Sequence, residues 1–462
     1  MTLREIADVV GGTVAGDVAD LVVSGPPYVD TRTPEPGGLF VAVVGERVDG
    51  HAFAAGAHAV LGSRPTEAPT VVVDDPVVAL GRLARHVVDE LDVVVLAMTG
   101  SQGKTGTKDY LAHVLATAGP TVATAGNHNN ELGVPLTVLR AGRDTRFLVV
   151  EMGARGVGHI SYLCEIAPPD VAAVLNVGTA HVGEFGSREA IALAKGEIVE
   201  ALPGEGTAVL NAADDLVAPM RTRTRGRVLT FGVDRGDGTT ADVQARDLEV
   251  DDRVRPSFGL GFAGEWWPVR LRQSGLHQVE NAAAAAAMAI AAGLPLEQVA
   301  DALSAAESAS PMRMEVHERT DGLVVLNDAY NANPASTSAA LQTLWAMGQR
   351  QGRRTVAVLG EMRELGDTAR AGHVEVGAVA AQLGIDVVVV VGPEAAGVAE
   401  GYGAGAVTTA GRDDALAWVR ENVAAEDVVL VKASNGAALW VIADELLAQE
   451  PAETVEGDRP AP

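Results

Sequence analysis

"DVVVLAMTGSQGKTGTKDYLAHVLATAG" occupies positions 92–119, and its reading decides the fold. Residues 93–98 form an unbroken apolar run. Such a run, short and without polar alternation, predicts a strand buried on both faces. Gly100 and Gly103 interrupt it, and a helical pattern starts near Lys104. At a strand–turn–helix junction the backbone N–H groups converge on one spot, where the helix dipole favours an anion. Thr99, Gly100, Ser101, Gln102, Gly103, Lys104, Thr105 and Gly106 make a shortened phosphate-binding loop, with Met98 where the full pattern carries glycine. On this reading Lys104 reaches the terminal phosphates of a nucleotide and Thr105 binds Mg²⁺. The plain alternative is an ordinary strand-to-helix turn, and the flanking elements favour phosphate.

The same alternation continues outward. "FLVVEMG", "VAAVLNVG" and "TAVLNAADD" follow, with helical stretches between them. That order predicts a mostly parallel sheet covered by helices. Residues 227–271 read differently, as short alternating strands and charged turns, where a small antiparallel part is expected. Further on, "LVVLNDAY", "RTVAVLGEM", "DVVVVVG" and "DVVLVKASN" alternate with helices and predict a second doubly wound sheet. Before residue 90, "GGLFVAVVG" and "TVVVDD" are short strands of a first block. The expected division is 1–90, 91–309 and 310–448. The acidic, Pro-rich tail at 449–462 is expected to be disordered.

Composition bounds the answer. Of 462 residues, 47% are apolar, enough for several cores. No run of eighteen apolar residues appears, so no transmembrane segment is expected. "MTLREIADVVGG" reads as an amphipathic helix, not a signal peptide. Cys164 is the one cysteine, so no disulfide framework exists. Together these point to a cytoplasmic protein. A net charge of −26 argues against nucleic acid as a partner. It does not exclude anionic ligands, because local donors outweigh distant screened charge.

Ligands of open α/β sheets sit beyond the carboxyl ends of the strands. Glu151 ends one strand and Asn176 another, with His181 just after. Glu and His both bind divalent metals, although Mg²⁺ prefers oxygen. Each residue alone reads as a polar strand terminus, and the phosphate loop on the same sheet edge is what adds weight. His277 and Asn281 lie four apart at a helix start and share a face; locally, a helix cap and a surface histidine explain them as well. Asp328 and Asn331 follow a strand. An acid there can take ribose hydroxyls, but simple turn chemistry is equally open. The chain has four lysines among 35 Lys and Arg residues, namely Lys104, Lys108, Lys195 and Lys432. Lysine can lose its proton and react where arginine stays a charged fork.

Taken together, several strings resemble the ATP-dependent Mur ligases of peptidoglycan synthesis. They are "DTRTPEPGGLFVAVVGERVDGHAF", "TGSQGKTGTKD", "TAGNHNNELGVPLTVL", "VVEMGARGVGHI", "LNVGTAHVGEFGSREAIALAKGEI", "GLHQVENAAAA", "SPMRMEVHE", "NDAYNANPAS" and "LGEMRELGD", in the family's order and over almost the whole chain. The resemblance implies three α/β domains: an N-terminal one for a UDP-linked substrate, a central ATP-binding parallel sheet with the phosphate loop, and a C-terminal Rossmann-like one that closes over both. "DAYNANPAS" is similar to the member that adds D-alanyl-D-alanine, and the D-N-P-R string of the diaminopimelate- or lysine-adding member is missing. The implied reaction activates the carboxylate of a UDP-N-acetylmuramoyl tripeptide as an acyl phosphate, which the amine of D-alanyl-D-alanine then attacks.

The resemblance also implies residue roles. Lys104, Lys195 and His181 would carry the catalysis. Thr105 and Glu151 would hold one Mg²⁺; His181 and Lys195, carbamylated by CO₂, would hold a second. His277 and Asn281 would meet the adenine. Asp328 would take the ribose, with Tyr330 and Asn331 nearby, and Arg313 would neutralise the γ-phosphate. Asn127, Asn129 and Asn130 would line the peptide side, and Asp30, Thr31 and Arg32 the uridine-diphosphate end. A monomer is implied. Asn435 stands where the family often has arginine, with Lys432 as the nearby positive charge. Two alternatives stay open: a Mur-type amide ligase with another acceptor, and a non-catalytic ATP-binding regulatory subunit.

Overall fold

The computed structural model describes residues 1–45, 48–178, 185–236 and 238–448. His181 and the tail at 449–462 lie outside the described residues. Three sheets organise the chain. The first is small: β1 (Thr13–Ala15), β2 (Leu39–Val41), β3 (Ala59–Gly62) and β4 (Thr70–Val72), in the order β1-β4-β3-β2, with β1 antiparallel to β4. The helices Leu3–Val10 and Pro76–Glu90 close its core. A capping box starts the first of these: Thr2 Oγ1 accepts from Glu5 N, and Glu5 Oε2 accepts from Thr2 N.

The second sheet has nine strands: β5 (Val94–Thr99), β6 (Thr121–Ala123), β7 (Phe147–Glu151), β8 (Val171–Val174), β9 (Thr207–Asn211), β10 (Arg227–Val233), β11 (Val243–Val250), β12 (Pro256–Phe262) and β13 (Glu265–Arg270). Their order is β13-β12-β11-β10-β9-β8-β5-β7-β6. β5 lies inside this sheet, and its side chains alternate between two cores. Leu96 and Met98 enter one core, Val95 and Ala97 the other. This is why its sequence is apolar from Val94 to Met98. The helix His277–Ala291 buries Ala282 to Ala289 completely. Its alanines admit the helix Lys104–Ala116 to close packing.

The antiparallel part expected at 227–271 is present, and it forms one edge of the central sheet. β10 and β11 continue the parallel sheet, and only β12 and β13 turn antiparallel at its edge. Short strands with charged turns look alike whether they extend an existing sheet or start a new one. Their hydrogen-bonding partner decides which, and it lies far away in sequence.

The third sheet comprises β14 (Glu315–Glu318), β15 (Val324–Asp328), β16 (Thr355–Leu359), β17 (Val387–Val391), β18 (Val407–Thr409) and β19 (Val428–Lys432). Its order is β14-β15-β19-β16-β17-β18, parallel except for edge strand β14. Helices cover both faces, giving two cores. Pro334 is the first residue of the helix Pro334–Gln351, and Asn333 Oδ1 accepts from Ser336 N at 2.8 Å.

Candidate active site between the two parallel sheets

Carboxyl ends of strands in the second and third sheets contribute to one cavity of about 680 Å³. The loop after β5 forms its floor. Gly103 takes φ +80 and starts the helix Lys104–Ala116 without a side-chain cap, leaving that helix end open to an anion. A Cβ on Gly103 would lie 2.6 Å from Asn281 Oδ1, and one on Gly106 would lie 2.8 Å from Asn281 Nδ2. Asn281 therefore packs on the loop through two glycines. Asn176 clamps the other side: its Oδ1 accepts from Gln102 N at 3.0 Å, and its Nδ2 donates to Gln102 O at 3.1 Å. Ser101 Oγ accepts from Gly178 N.

Lys104 Nζ donates to Gly100 O at 2.8 Å. Burial lowers its pKa, while the carboxylates of Glu151 and Glu364 oppose that shift. Thr105 Oγ1 donates to Glu151 Oε2 at 3.1 Å, and Asn129 Nδ2 donates to Glu151 Oε1 at 2.7 Å. A hydroxyl and a buried carboxylate beside a phosphate loop are hard oxygen donors. They suit Mg²⁺, which takes few protein ligands and completes its shell with phosphate oxygens and water.

Lys195 projects into the same cavity from the helix Arg188–Glu200. Its side chain is buried and makes no hydrogen bond or ion pair among the described residues. Burial, then the charge of Lys104, pulls its amine down to about 7. Two positions along, Glu197 is also buried. It accepts from Gly158 N (2.6 Å) and Ser161 N (3.0 Å), capping the helix His159–Ile166.

The third sheet supplies the facing wall. Arg313 lies over the ring of Tyr330, 4.3 Å from its centroid. Its neighbours Met312 and Met314 both adopt left-handed φ values, +57 and +49. Strain of this kind persists where the surroundings impose it: Met312 N donates to Glu315 and Met314 N to Asp328. Lys432 is fully buried and donates to Asp328 Oδ2 at 2.5 Å and to Asn331 O at 3.0 Å. His277 Nδ1 is covered and has no hydrogen-bond partner among the described residues, an orphan at the cavity wall. Burial lowers the pKa of that ring, with Asp328 opposing and Lys432 assisting.

Three of the four lysines, Lys104, Lys195 and Lys432, line the cavity. The cavity also gathers Asn127, Asn129, Asn130, His277, Asn281 and Asn331. Asp30, Thr31 and Arg32 stand apart from its wall. Their neighbour Val29 lines it, while Asp30 and Arg32 pair with each other at 2.6 Å on the surface. Lys432 does not stand free as a stand-in cation for position 435; its charge is committed to Asp328. Sequence reasoning passed over Arg363, Glu364 and His159, all at the cavity. The signal for the first two was present in "LGEMRELGD", a charged string following a strand.

The family model for the Mur ligase middle domain matches residues 98–289, and that for the Mur ligase glutamate ligase domain matches residues 312–435. The chain is 44% identical to the UDP-N-acetylmuramoyl-tripeptide–D-alanyl-D-alanine ligase of Mycobacterium tuberculosis, over 97% of this chain and 98% of that one. It is 35% identical to the ligase of the same name from Escherichia coli, over 95% and 96%. Among solved structures it is similar to MurF from Acinetobacter baumannii (TM-score 0.87, 32% identity, 97% and 99% covered). It is also similar to MurF from Thermotoga maritima in complex with ADP (TM-score 0.78, 29% identity, 91% and 97% covered).

Proposed function

The chain belongs to the Mur ligase family, and from that premise we propose that it joins D-alanyl-D-alanine to UDP-N-acetylmuramoyl tripeptide, converting ATP to ADP and phosphate. One observation carries the reading. A phosphate loop, an oxygen-donor pair and a buried lysine with no partner among the described residues share a single cavity with the facing sheet. A regulatory nucleotide-binding module has no need of that lysine.

The tripeptide carboxylate is a poor electrophile. Its oxygen attacks the γ-phosphorus of ATP, giving an acyl phosphate and ADP. The acceptor amine then attacks the acyl carbon, phosphate leaves, and an amide remains. Phosphoryl transfer of this kind is mostly positioning and charge neutralisation. Lys104 exchanges its bond to Gly100 O for phosphate oxygens, and the loop amides hold the rest. Arg313, steadied on Tyr330, neutralises charge at the γ-phosphate from the opposite wall. His277, through its orphan Nδ1, and Asn281 meet the adenine. Asp328 and Asn331 face the ribose, although both Asp328 oxygens already accept bonds, from Lys432 and Met314. Thr105 and Glu151 would hold one Mg²⁺, which supplies charge neutralisation when bound.

Lys195 fits a carbamate. CO₂ reacts with neutral amines, and an amine near pH 7 is substantially neutral there. The resulting anion would present oxygens for a second Mg²⁺, with His181 as its partner. Asn127, Asn129 and Asn130 line the peptide side, and Asp30, Thr31 and Arg32 bind the uridine-diphosphate end from the 1–90 domain. The enzyme acts as a monomer on this reading. The cytoplasm supplies the ATP.

The test is phosphate release from ATP and Mg²⁺ with the two substrates supplied singly and together. Release with both, and a product heavier by one dipeptide, is expected. No release with both, from a folded protein that binds ATP, refutes the reading. Intact mass and electron density of the nucleotide-bound enzyme decide the carbamate: an unmodified amine in both rules it out.

A further inference from the structure

The cavity holds a basic side chain that phosphoryl transfer does not use. Arg363 follows β16, and its backbone N–H donates to Ser434 Oγ at 2.9 Å. Its Nε donates to Glu361 at 2.7 Å. The guanidinium fills the space that a side chain at position 436 would need. A Cβ on Gly436 would lie 2.0 Å from Nη1 and 2.5 Å from Cζ. Gly436 belongs to the short turn Asn435–Ala437 after β19. The guanidinium is thus held at its Nε edge by a carboxylate and lies against a backbone made bare for it. Arg363, Ser434, Asn435 and Gly436 all line the cavity, and the arginine side chain keeps 53% of its surface exposed.

Its position differs from that of the phosphate-facing cations. Glu364, the next residue, is close enough to Lys104 to act on its charge, as is Arg313. Arg363 instead has Glu361 and Glu394 as its charged neighbours. The turn therefore sets a carboxylate toward the phosphate loop and a guanidinium toward Gly436. A ligand with an amine at one end and a carboxylate at the other meets opposite charges in that order. A planar fork of N–H donors matches a carboxylate better than an ammonium does.

We propose that Arg363, seated on Gly436, binds the terminal carboxylate of the incoming dipeptide and so directs its amine to the acyl phosphate. This rests on the ligase reading above. Arg363 is then a specificity-determining residue for the acceptor and takes no part in ATP cleavage.

The experiment uses the full chain with ATP and UDP-N-acetylmuramoyl tripeptide, comparing D-alanyl-D-alanine with its C-terminal amide. A charge-assisted bond predicts that wild type prefers the acid in kcat/KM by about ten- to hundredfold. Arg363→Ala should raise the acceptor KM and erase that preference, while the KM for ATP, which reports an intact fold and nucleotide site, moves little. Gly436→Ala, which displaces the guanidinium without removing it, should act in the same direction, and Arg363→Lys should restore part of the preference. The proposal is overturned if wild type uses the amide as well as the acid, or if Arg363→Ala keeps the full preference. Wild type that ligates neither acceptor defeats the ligase reading itself, and the proposal falls with it.

Discussion

Lys104 spends its hydrogen bond on its own loop, at Gly100 O, so removing it strips the cavity of a phosphate ligand at little structural expense. Lys104→Ala should lower turnover by at least about a hundredfold, the usual effect of losing one preorganised donor. Its thermal midpoint should stay near that of wild type. Near-normal turnover would show that the loop does not bind the transferred phosphate. His277 makes a different prediction. Burial depresses its pKa, so the unfolded chain takes up the proton first as pH falls. The neutral ring's contribution is present above the unfolded value, roughly 6.5. It is lost as pH drops toward the depressed folded value. The stability of wild type relative to His277→Phe should therefore be flat above about 6.5 and fall between there and the folded value, by at most about 1.4 kcal/mol per pH unit. A pH-independent difference in denaturant unfolding would contradict the assigned shift.

At the scale of elements, the site depends on helix starts. The helix His159–Ile166 begins at Gly158, whose φ of +90 and missing side chain leave its first N–H groups without a local cap. Glu197 provides the cap from the helix that carries Lys195. Glu197→Ala should cost about 2 kcal/mol, since two donors lose a charged acceptor. Denaturant unfolding reads this directly, and a change under about 0.5 kcal/mol would remove the cap from the account. The phosphate loop has the opposite requirement, an uncapped start. Gly103→Ala should destabilise by about 1–2 kcal/mol through its left-handed backbone. It should also push Asn281 off the loop and weaken nucleotide binding, measurable by calorimetry. The loop was legible from sequence because its strand, turn and helix are contiguous. The Glu197 cap was not, because its donors lie nearly forty residues away.

Over the whole molecule, the cavity lies between two sheets that touch through few elements. Arg253 pairs with Glu318, Gln351 Nε2 donates to Asp252 O at 2.8 Å, and Val254 packs into a core of the third sheet. The strained backbone around Arg313 sits at this junction. Ligands that bridge the walls should draw the sheets together. The radius of gyration by small-angle scattering should fall when a non-hydrolysable ATP analogue and UDP-N-acetylmuramoyl tripeptide are both present. Identical curves with and without them would count against closure.

By itself the sequence determined the parallel sheets, the strand–turn–helix around residues 99–106, the helix start at His277, and the strand-end position of Glu151. Each follows from side-chain period, turn chemistry and hydrogen bonding within a short stretch. Tertiary structure alone decided that β12 and β13 extend the central sheet and that Lys432 is consumed by Asp328. It alone brought the buried Lys195 into the cavity beside Lys104 and laid Arg363 into the space left by Gly436. Those contacts join residues up to about a hundred positions apart. Local pattern encodes which face of an element is apolar; it does not encode which distant side chain arrives on the other side of a cavity.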